Sequence, residues 1–172
     1  MKSESGFTLL EITLSILIIG IIAAFAGIGI VSGTRSYVSV RENAVLAQKA
    51  NLALMRITRE ISGLLDIVDA SGTFIEFESI TGDRKIGLDN GTVRIAEKET
   101  TLDNGDILVD RVAEDGFTLT YKKGNEASWD PETDDSALLS TVEIGLTLVH
   151  SEAVQGSIDF TTTVCPGNLR KK

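Results

Sequence analysis

Apolar residues fill the first part of the chain almost without a break. From Ile12 to Thr34 there is no charged residue. As a helix at about 1.5 Å per residue, that run extends roughly 35 Å, against a hydrocarbon core of about 30 Å. It is long enough to span a bilayer. Beyond it the pattern becomes amphipathic. Val40, Ala44, Ala47, Ala50, Leu54, Ile57, Ile61, Leu64 and Val68 recur at steps of three and four. Arg41, Glu42, Gln48, Lys49, Arg56, Arg59 and Glu60 take the opposite face. No proline interrupts residues 7–68, so the periodicity predicts one helix of about 60 residues. "DASG" at 69–72 is expected to end it.

The period then changes to two. "TFIEFESI" (73–80), "TVRIAE" (92–97), "DILVDRV" (106–112), "FTLTYK" (117–122), "TVEIGLTLVH" (141–150) and "SIDFTTTV" (157–164) read as strands. Asn90-Gly91 and Asn104-Gly105 are hairpin signals. The expected plan is α+β: a long amino-terminal helix packed on an antiparallel sheet, one face of which covers Leu54, Ile57 and Ile61.

Glu11 sits at the edge of the apolar run, where a carboxylate in hydrocarbon is costly and a functional suspect. Three readings compete for this segment. A secretory signal peptide has a shorter apolar core with a small-residue cleavage site after it; here the apolar stretch is too long, and no clear A-x-A site follows it. A plain single-span anchor explains the length but not Glu11 or the flanking "SGFTLLE". A leader cut before the apolar run explains both.

"GFTLLEITLSILIIGIIAA" (6–24) resembles the amino terminus of type IV prepilins and type II secretion pseudopilins. The resemblance implies cleavage by a prepilin peptidase after Gly6 and N-methylation of Phe7. It also implies that Glu11, the fifth mature residue, pairs with the amine of a neighbouring subunit's Phe7. The alternative for Glu11 is that it snorkels to the headgroups. Gly20, Gly27, Gly29 and Gly33 let apolar helices approach closely. In the family this stretch also melts locally in the filament.

The resemblance divides the chain into a leader (1–6), a membrane and filament-core helix (7–34) and a pilin-like head (35–172). The head comprises an amphipathic helix over about 35–68 and a β-rich part over 73–165. It implies as partners other pilin or pseudopilin subunits, the prepilin peptidase and the inner-membrane assembly platform. It places the chain in the inner membrane as a single-pass protein, head outside the cytoplasm, and then in a pilus or pseudopilus. Counting Lys2, Arg35 and Arg41 does not itself assign that orientation.

"LALMRITREISGLLDI" (52–67), "ILVDRVAEDGFTLTYKKG" (107–124) and "FTTTVCPGN" (160–168) resemble J-type minor pseudopilins and PilW-like minor pilins. That implies a subunit of an initiating complex at the filament tip. Both a type IV pilus and a type II secretion pseudopilus stay open.

Composition narrows the classes. The formal net charge of −9 makes the chain a poor nucleic-acid binder. Cys165 is the single cysteine, so no intrachain disulfide forms, including the carboxy-terminal loop of many type IV pilins. One histidine and one cysteine are too few for a zinc site. No cofactor is expected. Asp130, Glu132, Asp134 and Asp135 in "WDPETDD" form a weak calcium candidate, since some secretion pseudopilins bind calcium. They lack EF-hand spacing and read more simply as a solvated acidic loop. Ser151 beside His150 has no nucleophile elbow and no placed acid, and Cys165 next to Pro166 reads as inert. The chain is therefore not expected to be an enzyme. The alternative class is a membrane-anchored periplasmic enzyme or binding protein unrelated to filaments.

Overall fold

The structure, a computed structural model, describes residues 8–151, 154, 156–167 and 169. One helix, α1 (Leu9–Ser62), precedes eight strands: β1 (Leu64–Ala70), β2 (Phe74–Ser79), β3 (Arg84–Asp89), β4 (Thr92–Glu97), β5 (Asp106–Val109), β6 (Val112–Lys123), β7 (Leu139–Val149) and β8 (Ser157–Val164). This is the α+β, pilin-like architecture expected. The chain divides into two compact units, residues 1–41 and 42–172.

In the first unit α1 is apolar and exposed. Leu14, Ile18, Phe25 and Ile28 all face outward, and none of the described residues before Leu46 is buried.

In the second unit α1 buries Leu46, Ala50, Ala53, Leu54, Ile57 and Ile61, a stripe at steps of three and four. The stripe starts later than expected: Val40 and Ala44 are exposed, and Leu46 and Ala53 take their place. The helix also ends earlier. Ser62 turns its hydroxyl back onto the Thr58 carbonyl, and Gly63, a poor helix former, follows. Residues 64–70 form a strand, not the last helical turns.

The physical reason lies in the pairing of β1 with β2. Register shifts fall between Leu64 and Asp66 and again between Ile67 and Asp69. Each bulge adds a residue, so Leu64, Ile67 and Ala70 are buried at steps of three. Two bulges in a strand imitate a helical period. "DASG" is accordingly the end of β1 and its turn into β2.

Two sheets form where one was expected. The first is an antiparallel meander, β1-β2-β3-β4-β5; the second has the order β6-β7-β8. β3, unassigned from sequence, lies at the centre of the first sheet; only Ile86 and Leu88 are large apolar residues in it. Residues 106–112 do not make one strand. Arg111 has a positive φ of 59°, and the chain turns there from the first sheet into the second. α1 holds this corner by ion pairs Lys49–Asp110 at 2.6 Å and Glu42–Arg111 at 2.9 Å.

Asn90 and Gly91 form the expected two-residue hairpin, with φ of 45° and 71° and Asp89 opposite Thr92. Asn104-Gly105 does not. Leu102–Asn104 is a short 3-10 turn, and Gly105 is extended with φ of −74°. A Cβ at Gly105 would stand 2.5 Å from the Ile95 carbonyl oxygen, so glycine is required there for close approach. One apolar core joins the buried stripe of α1 to both sheets, with Phe77, Phe117 and Ile144 fully enclosed.

Candidate assembly site

Thr8 precedes the first residue of α1, and the backbone N–H of Glu11 donates to its Oγ1 at 3.3 Å and to its carbonyl oxygen at 3.1 Å. This is the Thr-x-x-Glu start of a helix, with Thr8 as N-cap and Glu11 as third helical residue. The signal for it, Thr8 three residues before Glu11, is legible in "TLLE". A negative side chain in the first turn also complements the positive end of the helix dipole. Among the described residues, the Glu11 carboxylate has no hydrogen-bond or ion-pair partner. Gly6 and Phe7 lie outside the described residues.

α1 is long and apolar enough to cross a membrane, and the apolar part is not buried against the rest of the chain. Three of its hydroxyl side chains are bonded within the helix. Thr13 Oγ1 donates to the Leu10 carbonyl, Ser15 Oγ to that of Glu11, and Thr34 Oγ1 to that of Ile30, at 2.7–2.9 Å. Hydroxyls satisfied in this way tolerate an apolar surrounding.

Residues 1–27 match the family model described as the prokaryotic N-terminal methylation motif. The chain carries the type IV prepilin signature. The signature is the one carried by processed subunits of the pilin and pseudopilin kind, and it implies maturation by prepilin peptidase and assembly with other pilins. No curated protein and no solved structure matches the chain. The head is therefore read from its own geometry.

The acidic loop does not converge. The Asp130 N–H donates to Asp134 Oδ2 at 2.8 Å, the Glu132 N–H to Asp130 Oδ1 at 2.9 Å, and the Ala137 N–H to Asp135 Oδ1 at 2.9 Å. Lys123 pairs with Asp134 at 2.7 Å and, with the Asp130 amide, holds its carboxyl below the usual range. Trp129, buried beneath, donates from Nε1 to the Asp135 carbonyl at 3.0 Å. The carboxylates close the loop on itself. Among the described residues no group of three or more His, Cys, Asp and Glu side chains is arranged to hold a metal ion.

His150 and Ser151 do have an acid nearby, which the sequence did not suggest. Glu42 accepts from the Ser151 N–H at 2.6 Å and from its hydroxyl at 2.9 Å, besides pairing with Arg111. The Ser151 amide is the main cause of its lowered carboxyl pKa. His150 is bonded elsewhere, through Nε2 to Asn43 Oδ1 at 2.5 Å. The histidine and serine thus meet different partners on α1. They do not form a nucleophile–base pair, and they fasten the end of β7 to the helix. Cys165 is exposed just beyond β8.

Proposed function

We propose that this protein is a minor pilin or pseudopilin, cleaved between Gly6 and Phe7 and N-methylated on Phe7. It joins a tip or initiation complex of a type IV pilus or type II secretion pseudopilus. The head lies outside the cytoplasm while α1 is in the inner membrane. The observation that carries this reading is the prepilin signature over residues 1–27, with Glu11 held in the first turn of an exposed apolar helix. An unpartnered carboxylate on that surface attracts a cationic amine strongly, because the surrounding dielectric is low. The mature amine of Phe7 on a neighbouring subunit supplies that charge.

Two features favour a minor rank. The segments 52–67, 107–124 and 160–168 resemble J-type pseudopilins and PilW-like pilins. A net charge of −9 repeated at every subunit of a homopolymer would also accumulate repulsion at spacings comparable to a Debye length of about 8 Å.

Substitution tests both steps. Gly6→Leu should block maturation, because the peptidase closes around a small side chain, and the leader should remain on the chain. Glu11→Ala should be cleaved normally yet fail to enter filaments. A cleaved Glu11→Ala chain that is incorporated at wild-type levels would contradict the charge-pairing role and leave the snorkelling alternative.

A further inference from the structure

Among the described residues the head presents four sheet edges, and three of them are interrupted. β1 carries two bulges, β5 has four residues and a register shift beside it, and β6 has shifts near both ends. β8 differs. Its eight residues pair with β7 without a shift, from Ser157 opposite Val149 to Val164 opposite Val142. It has no lysine and no proline, and threonine, isoleucine and valine make up most of it. Bulges, lysine and proline normally blunt an edge, and β8 lacks all three; Asp159 is its one charged residue. Its outer edge is bordered by α1 across a groove of about 670 Å³.

The groove has a defined chemistry. Met55, 71% exposed, and Leu54 contribute apolar surface from α1, and Phe160 contributes it from β8. The start of β8 lies near the earlier part of α1, since His150, just beyond the β7 end that pairs with Ser157, bonds to Asn43. Asp159, whose Oδ1 accepts from Thr147 Oγ1 at 2.7 Å, and Arg59 both line the groove. The three-residue step from Asp159 to Thr162 alone covers roughly 10 Å. Arg56 and Arg84 share Glu60 at 2.9 and 3.6 Å, whereas Arg59 makes no ion pair among the described residues. β8 also alternates. Ile158, Phe160 and Thr162 are partly covered, and Asp159, Thr161 and Thr163 are exposed.

We propose that β8 and the adjoining face of α1 form a strand-docking site for an extended segment of another protein chain. The segment adds to the β8 edge as a ninth, antiparallel strand, the sense of every ladder in this head. Backbone bonds supply much of the affinity, as in other strand additions, and alternate side chains supply the selectivity. On the side facing α1, apolar residues cover Met55 and Phe160, and a carboxylate meets Arg59. On the other side, a basic residue pairs across from Asp159. None of the residues involved lies in 1–41, so the site stands apart from the maturation and Glu11 pairing proposed above.

The test uses the full-length chain in detergent micelles and a short synthetic peptide. The peptide alternates valine with threonine, with a glutamate for Arg59 and a lysine for Asp159. Binding is followed by NMR through the amides of Thr161–Thr163 and their hydrogen exchange. The expected result is slowed exchange along β8. N-methylation of the peptide amides on the edge facing β8 should abolish binding, and N-methylation on the opposite edge should leave it. Arg59→Glu should weaken binding about tenfold, and exchanging the peptide glutamate for lysine should restore it. Three outcomes would overturn the proposal: no protection of β8 at millimolar peptide, equal binding of both N-methylated peptides, or protection that grows with protein concentration without peptide. The last would assign the edge to a second copy of this chain.

Discussion

Glu42 shows how single residues tie the helix to the sheets. Its carboxylate takes two hydrogen bonds from Ser151 and one from Arg111, and these favour the charged form. The folded-state pKa lies below the unfolded one. The stabilisation is therefore present above the ordinary glutamate value of about 4.3 and lost as pH falls through the folded value. Asp110, beside Lys49, and Asp134, beside Lys123, are lowered in the same direction. Thermal melts of Glu42→Gln should show a lower Tm than wild type at neutral pH. That gap should close as pH falls through the lowered folded-state pKa, once the carboxylate is protonated in both states. A gap of equal size at both pH values would mean that Glu42 acts through packing and not through charge. The Ser151 contact was invisible in the sequence because 109 positions separate the partners.

The β3–β4 hairpin and the buried stripe of α1 each carry a local cost that substitution can measure. Gly91→Val should destabilise the head by about 1–2 kcal/mol, since a β-branched residue is forced to a positive φ. Ile57→Ala should cost about 2–5 kcal/mol, because Ile57 is fully enclosed between α1 and the sheets. Urea unfolding checks both values. An Ile57→Ala cost below about 1 kcal/mol would mean that the stripe is misassigned. The long helix, β4 and β8 were legible in sequence, the helix from its apolar stripe and the strands from period two. Three elements were not, each for its own reason. β1 hid behind two bulges that give it a period of three. β3 is too polar to announce itself, because the sheet positions it more than its own side chains do. The turn at Arg111 rests on Asp110 and Arg111 meeting α1, which no local pattern encodes. The amino-terminal motif was more legible than the head, since its signature is contiguous in sequence.

For the whole molecule, residues 42–172 form a compact unit with its own core. A fragment beginning at Arg35 should be a folded, soluble monomer without reducing agent, as its one cysteine leaves no intrachain bridge to form. Dispersed NMR spectra and near-ultraviolet circular dichroism check this, and a molten signature would contradict the two-sheet core. In cells, the minor rank predicts sparse or tip-confined immunogold labelling, and loss of filaments or secretion on deletion while the major subunit persists in the membrane. Uniform labelling along filaments would contradict that rank but not the prepilin signature. On the proposed function the chain matures at its amino terminus and then enters a filament with its apolar helix intact. Intact-mass spectrometry of the chain from cells containing prepilin peptidase tests it most directly. The mass should fall by that of Met1–Gly6 and rise by one methyl group on Phe7. A chain that keeps its leader, or one cut beyond the apolar run, would contradict the account.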